Sequence, residues 1–275
     1  MIKKIICPTD FSKAADNAVA YAAKLCQLAN AELEVIHLQT QSVLESVFAG
    51  KKAIKKTRYA SQALDDVCRE VNKTFHISCS GLLETPAEFF EKSISPEDGE
   101  SRLLVMGTNG ADDLYQRIFG TNTFRTLKKA ECPVLVIPEN VSYATISKII
   151  FAWDYSIASK KFYPQLRDFL EIFNPEIDFL HVSRHDTKIS QDVFSAVKEN
   201  MEELLEGTKI KTGFSRIHTD NVIESIDKYM LASEANLLTL VFHDELFDTL
   251  ISVNGLIKRI TQTANYPVLV MHEMG

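Results

Sequence analysis

The chain has 275 residues, 45% of them hydrophobic and 24% charged. That is the balance of an ordinary globular protein, with enough chain for one large domain or two medium ones. A net charge of −7 argues against broad nucleic-acid binding, which needs basic side chains to neutralise phosphates, and no apolar stretch approaches the length that spans a bilayer.

The N-terminus, MIKKIICPTD, carries two lysines, but its apolar run is too short for a signal peptide, so the expected location is cytoplasmic. The five cysteines, Cys7, Cys26, Cys68, Cys79 and Cys132, all lie in the first half and form no C-x-x-C pair. They read as small buried residues of a reducing cytosol rather than as a zinc site.

Residues 2–8 predict a short buried strand. Pro8-Thr9-Asp10-Phe11-Ser12 turns the chain, and Ser12 or Asp10 caps the next element. That element, residues 13–29, is Ala-rich with apolar positions at helical spacing. Asn30 and Ala31 end that helix, and 33–38 predict a second strand. A long helix is expected over 51–72, with Ile54, Thr57, Leu64 and Val71 on its inner stripe. Its basic start (Lys51, Lys52, Lys55, Lys56, Arg58) reads as a solvated face in preference to a phosphate-steering patch. Residues 75–83 predict a third strand, and Pro86 suits the first turn of a helix running to about Ser95.

The segment 102–137 organises the chain. The apolar run 103–106 ends in Gly107, followed by Thr108, Asn109 and Gly110. Gly120, Thr121, Asn122 and Thr123 come later, then a helical pattern, Cys132-Pro133 and a second apolar run. Three of the chain's 10 glycines thus fall in one loop after one strand. Backbone without Cβ approaches a ligand closely, successive N–H groups form an anion-binding concavity, and a helix starting near Gly120 adds its positive end. Thr121 and Thr123 would offer hydroxyls to phosphate oxygens or a hydrated metal. The pattern is neither G-x-x-x-x-G-K-[ST] nor G-x-G-x-x-G. Spacing alone leaves both a phosphate site and plain turn glycines open. Alternating strands and helices indicate a parallel α/β sheet, in which ligands sit outside the carboxyl ends of the strands. Asp10, Leu38 and the Gly107 loop all follow strand ends and can share one cleft.

After a linker at 138–147 the pattern restarts. KIICPTDFS matches KIIFAWDYS at an offset of 144, which also pairs His37 with His181, and CPVLVIP matches YPVLVMH at an offset of 134. This is an internal duplication of two domains, and it supplies an internal control. Gly107 aligns with Val241, Gly110 with Asp244, Gly120 with Asn254, Thr121 with Gly255 and Thr123 with Ile257. The second loop has lost two of the three glycines and the hydroxyl positions, keeps a single Gly255 one place late, and has gained carboxylates at Asp244 and Glu245, which repel a nucleotide anion. Residues 1–140 carry 17 basic and 18 acidic side chains, whereas 141–275 carry 13 and 19, so the first half hosts an anion more easily. Trp153 stands where Thr9 stands, and its indole is expected to fill part of the vestigial pocket. His37 and His181, equivalent in both copies, read as structural. His243 beside Asp244 and Glu245 is too weak a pattern for a metal site.

The spacing G-x2-G-x9-G-[ST], with Met106 before it and Cys132-Pro133-Val134-Leu135-Val136 after it, resembles the ATP-binding signature of the universal stress protein family. The resemblance covers nearly the whole chain as two copies, at 1–140 and 146–275, only the first with the full signature. It implies two tandem open-sheet α/β domains, each a five-stranded parallel sheet flanked by helices. It implies a stress-response regulatory protein that binds ATP or another adenine nucleotide in the first domain, with Mg²⁺ or Mn²⁺ accompanying the triphosphate. Carried onto matching positions, Asp10 would contact ribose or base, and Pro8 and Leu38 would pack around adenine. Met106, Gly107, Asn109 and Gly110 would line the sugar–phosphate region, while Gly120, Thr121, Asn122 and Thr123 would cradle the phosphates. The family's habit of pairing domains through the last strand implies that 134–137 and 268–271 pair within the chain as a pseudo-dimer, and leaves open a homodimer.

Two other readings stand beside it. An enzyme such as a slow ATPase needs a positioned nucleophile and charge stabilisation beyond phosphate holding. No Walker lysine, S-G-G-x-D-S or H-x-G-H signature is present, and Arg117 and Arg125 have no clear assignment. A scaffold whose nucleotide site is silent would act through an unidentified protein partner alone. No catalytic residue is expected.

Overall fold

The computed structural model describes residues 1–39, 51–94, 100–108, 126, 127, 129–153, 162–183, 191–242, 257, 259–261 and 263–272. The described residues up to Tyr143 form one compact unit and those from Ala144 a second. The first unit contains strands β1 (Lys4–Pro8), β2 (Glu32–Leu38), β3 (Cys79–Glu84), β4 (Arg102–Thr108) and β5 (Val134–Pro138), in the order β3-β2-β1-β4-β5. Every pair is parallel. The second contains β6 (Lys148–Trp153), β7 (Glu176–Ser183), β8 (Thr212–His218), β9 (Leu237–Phe242) and β10 (Val268–His272), in the equivalent order β8-β7-β6-β9-β10, again with parallel pairs. The expected α/β architecture of two five-stranded parallel sheets is present.

Register repeats between the units. Lys4 pairs with Glu32 and Lys148 with Glu176; Ile5 pairs with Leu103 and Ile149 with Leu237; Gly107 pairs with Ile137 and Val241 with Met271. Both offsets seen in the sequence, 144 and 134, are therefore offsets between structurally equivalent residues.

Central strands show why their sequences are continuous apolar runs. Ile5, Ile6, Cys7, Leu104 and Val105 are fully buried, as is every residue of β5, because helices cover both faces of such a sheet. The edge strand β3 is largely exposed, and its sequence CSGLLE is correspondingly less apolar. That weak pattern accounts for a misplaced boundary. The sequence places Phe75 at the start of the third strand, but helix α2 runs Lys51–Phe75. His76 comes next, in the left-handed region at φ 54°, and the strand begins only at Cys79.

Helix α1 (Lys13–Ala29) matches its expected bounds. The Ser12 hydroxyl accepts from the Ala15 N–H, and Asn30 ends the helix in the left-handed conformation, its N–H on the Cys26 carbonyl. The buried face of α1 is mostly alanine (Ala14, Ala15, Ala18, Ala22, Ala23), so its backbone lies close against β1 and β4. Pro86 does open a helix, α3 (Pro86–Glu88), after a reciprocal cap. The Thr85 hydroxyl accepts from Glu88 N–H while the Glu88 carboxylate accepts from Thr85 N–H. The helix then widens into a π-helical turn, Phe89–Ser93, in place of the regular helix expected to about Ser95. In the second unit α4 (Tyr163–Phe173), α5 (Gln191–Leu204) and α6 (Val222–Ala232) complete the pattern.

Candidate functional site

In a sheet of order β3-β2-β1-β4-β5, connections leave β1 and β4 toward opposite edges. The switch point between them opens a crevice at the carboxyl ends of the strands. Pro8 ends β1, Leu38 ends β2, and Met106, Gly107 and Thr108 end β4, so the described part of the expected site gathers at this edge. Asn109, Gly110, Gly120, Thr121, Asn122 and Thr123 lie outside the described residues, as do Arg117, Arg125, Asp154, Ser156, His243, Asp244, Glu245, Asn254 and Gly255.

The turn after β1 is tied by its own side chains. The Phe11 N–H donates to Thr9 Oγ1 at 3.0 Å, and the Ser12 N–H donates to Asp10 Oδ1 at 3.0 Å. These bonds hold Phe11 at φ 63°, a left-handed conformation that costs a bulky residue about 1–3 kcal/mol. The Phe11 ring stacks on His37 with centroids 4.8 Å apart. His37 Nδ1 in turn meets the Thr9 carbonyl at 2.9 Å. A strained aromatic held over a strand-end histidine is a feature that sequence reasoning missed. Only the Asp and Ser flanking Phe11, both turn formers, hinted at it.

Gly107 stands differently from its expectation as a loop residue. It is the penultimate residue of β4 and pairs with Ile137. A Cβ placed on it would lie 2.6 Å from the Ala14 carbonyl carbon and 3.1 Å from the Ala15 nitrogen, and nearer still to the Ala14 oxygen. The first turn of α1 therefore occupies the space a side chain would need. Asn17 fixes that turn further, its amide donating to Pro138 O at 3.1 Å and Val141 O at 2.9 Å.

The mouth of the crevice is acidic and partly apolar. Burial, and secondarily the nearby Asp10 charge, push the Asp16 carboxyl above its usual range. Leu38 is a strand-end leucine left 36% exposed. At the end of β3, burial raises the Glu84 carboxyl while hydrogen bonds from the Ser93 hydroxyl, at 2.9 and 3.1 Å to its two oxygens, oppose the rise. Among the described residues no cluster of three or more His, Cys, Asp or Glu side chains could hold a metal ion. No described helix is long and apolar enough to cross a membrane.

The second unit presents a contrasting edge. Trp153 ends β6, 5% exposed, its ring 4.6 Å from His181 and 6.0 Å from Phe194. His181 Nδ1 meets the Trp153 carbonyl at 3.1 Å, the same bond that His37 makes to Thr9. Both histidines thus latch neighbouring strand ends, as their equivalence suggested. Where Gly107 stands in the first unit, Val241 stands here, 4% exposed. Helix α4 begins at Tyr163, and positions 158 and 159, equivalent to Ala14 and Ala15, lie outside the described residues.

Comparison with known proteins bears on the whole chain. Residues 1–138 match the model of the universal stress protein family. Universal stress protein MJ0531 of Methanocaldococcus jannaschii is 30% identical over 150 residues, covering 50% of this chain and 82% of its own length. Universal stress protein MJ0577 of the same organism is 26% identical over 156 residues, covering 50% and 95%. The crystal structure of a universal stress protein from Archaeoglobus fulgidus superposes with a TM-score of 0.72 at 16% identity, over 98% of each chain, and so shares the fold of both units. The chain belongs to the universal stress protein family, as a member with two tandem domains of that type.

Proposed function

We propose that the first unit binds ATP or another adenine nucleotide at the carboxyl edge of β1, β2 and β4, and that the chain works as a regulatory protein rather than as a rapid catalyst. The observation that carries this reading is the placement of the G-x2-G-x9-G-[ST] sequence. It begins at Gly107, on the strand that borders the switch point, in the first unit only. There the hydrogen-bonded Thr9–Ser12 turn and the exposed Leu38 offer a polar and an apolar wall. In this proposal Pro8 and Leu38 flank the adenine, Asp10 meets the ribose or base, and Met106 and Gly107 line the sugar. Asn109 and Gly110, then Gly120, Thr121, Asn122 and Thr123, follow the phosphates. Asp10 and Asp16 at the mouth oppose a triphosphate, and Mg²⁺ or Mn²⁺ bound with the nucleotide would offset that repulsion. Nucleotide-dependent exposure of this edge would then govern contact with a protein partner.

Calorimetric titration of the full chain with ATP and Mg²⁺, beside Gly120→Val, tests the proposal. The expected result is about one site per chain, lost in the variant, with no phosphate release on the timescale of the titration. Absence of binding in the wild type would overturn it and reduce the glycines to architecture.

A further inference from the structure

We propose that Cys68 and Cys79 form an oxidation site, closed by peroxide into a reversible disulfide that fastens α2 to the edge strand β3. The packing of the two elements carries this. Leu64 Cβ and Cys68 Sγ lie 3.1 and 3.3 Å from the point where a Cβ on Gly81 would sit. One turn later Asn72 clamps Cys79, its Oδ1 accepting from the Cys79 N–H at 2.9 Å and its amide reaching the Cys79 carbonyl at 3.5 Å. Positions 64, 68 and 72 of the helix therefore step along β3 from Gly81 back to Cys79. Cys68 falls between them, on the face of the helix from which Leu64 meets Gly81 and Asn72 reaches Cys79. Gly81 leaves the space that the Cys68 sulfur occupies.

The other three cysteines differ. Cys7, Cys26 and Cys132 are buried, and burial pushes the thiols of Cys26 and Cys132 up to about 12 and that of Cys7 further. Such thiols are poor nucleophiles. Cys79 alone is half-exposed, on a strand whose outer edge carries no neighbour among the described residues.

The chemistry balances with hydrogen peroxide as oxidant. The Cys68 thiolate, favoured by the Cys79 side chain, which holds the Cys68 thiol below its usual value, attacks one peroxide oxygen; an S–O bond forms, the O–O bond breaks, and hydroxide leaves as water after protonation. Cys79 sulfur then attacks the sulfenic sulfur of Cys68, forming the S–S bond and expelling a second water that carries the Cys79 proton. Two thiols and one peroxide give one disulfide and two waters, with two electrons passing from sulfur to oxygen. The helix already holds Cys68 Sγ 3.3 Å from where a Gly81 Cβ would sit, two residues along β3 from Cys79, and closure brings the sulfurs to a bond of about 2.05 Å.

The test uses the full chain, treated with hydrogen peroxide, alkylated under denaturing conditions and digested with trypsin. Arg69 and Lys73 lie between the two cysteines, so the disulfide joins two separate tryptic peptides and its mapping needs no variant. The expected product loses two hydrogen atoms and links the Cys68 and Cys79 peptides. Dithiothreitol reverses it, and Cys68→Ser and Cys79→Ser each abolish it, whereas Cys26→Ser does not. Cys68 or Cys79 gaining oxygen atoms without cross-linking, or a linkage to any other cysteine, would overturn the proposal.

Discussion

Gly107→Ala adds one methyl group to the end of β4, and its effect can be worked from the contacts around it. The new Cβ must move from 2.6 Å to the 3.4 Å at which ordinary contact with the Ala14 carbonyl carbon begins, and further from the oxygen. Neither side yields easily. The first turn of α1 is held by the Ser12 cap, by the two Asn17 hydrogen bonds and by the burial of Ala14, Ala15 and Ala18. The strand is held by its pairing with β5. Overpacking of this kind costs about 1–3 kcal/mol. At about 2–4 °C per kcal/mol for a unit of this size, thermal unfolding of the first unit, monitored by circular dichroism without nucleotide, should fall by roughly 2–12 °C. Because the clash is with backbone atoms, Ala14→Gly should not rescue it. Gly81→Ala is the contrast: its Cβ meets Leu64 Cβ at 3.1 Å and Cys68 Sγ at 3.3 Å, short of ordinary contact by only a few tenths of an ångström, so its loss should be smaller. An unchanged melting temperature in Gly107→Ala, with nucleotide affinity reduced, would refute the packing argument and return Gly107 to a purely ligand-facing role.

Trp153, the chain's single tryptophan, should emit at a short wavelength because its ring is 5% exposed. ATP binding in the first unit should leave that spectrum unchanged, and a large change would place nucleotide in the second. Thr85→Ala removes a helix cap and should lower stability by about 1 kcal/mol at pH 7, read as a shift in the urea midpoint. The Thr85 N–H and hydroxyl hold the Glu88 carboxyl below its usual value of 4.5. Its folded pKa therefore lies below the unfolded one, so this contribution is present above the usual value and is lost as pH falls through the lowered one. The gap between Thr85→Ala and wild type should accordingly narrow in acid, whereas a gap constant with pH would remove the carboxylate from the account. Tyr229 donates toward Asp178 Oδ2 at 2.5 Å and lies 2.6 Å from Ser215 Oγ. Asp178 Oδ1 has no partner among the described residues. Tyr229→Phe should therefore destabilise the second unit by about 1–3 kcal/mol, again by urea unfolding, and a neutral result would show that water satisfies the carboxylate.

Much of the architecture is legible in the chain because local periodicity and duplication both report on it. Strand–helix alternation indicates the parallel sheet, the alanine pattern of 13–29 marks α1 to the residue, and the two offsets anticipate the repeated register. Boundaries fail where burial is weak. β3 is an exposed edge strand, and edge strands carry little apolar signal, so in the sequence the end of α2 reads as its beginning.

Residue types and their order thus determined the elements, the repetition and the position of the glycine motif in one copy only. Tertiary structure decided what individual residues are for. Gly107 lies under the first turn of α1, and the sequence could not show that, because the clash is with backbone atoms far away in the chain. Phe11 is held left-handed by hydrogen bonds from a turn and by a ring on a neighbouring strand. Cys68 and Cys79 meet only because a helix runs back along an edge strand. In each case the physical cause is contact between elements brought together by the sheet, and such contacts leave no periodic trace in the chain.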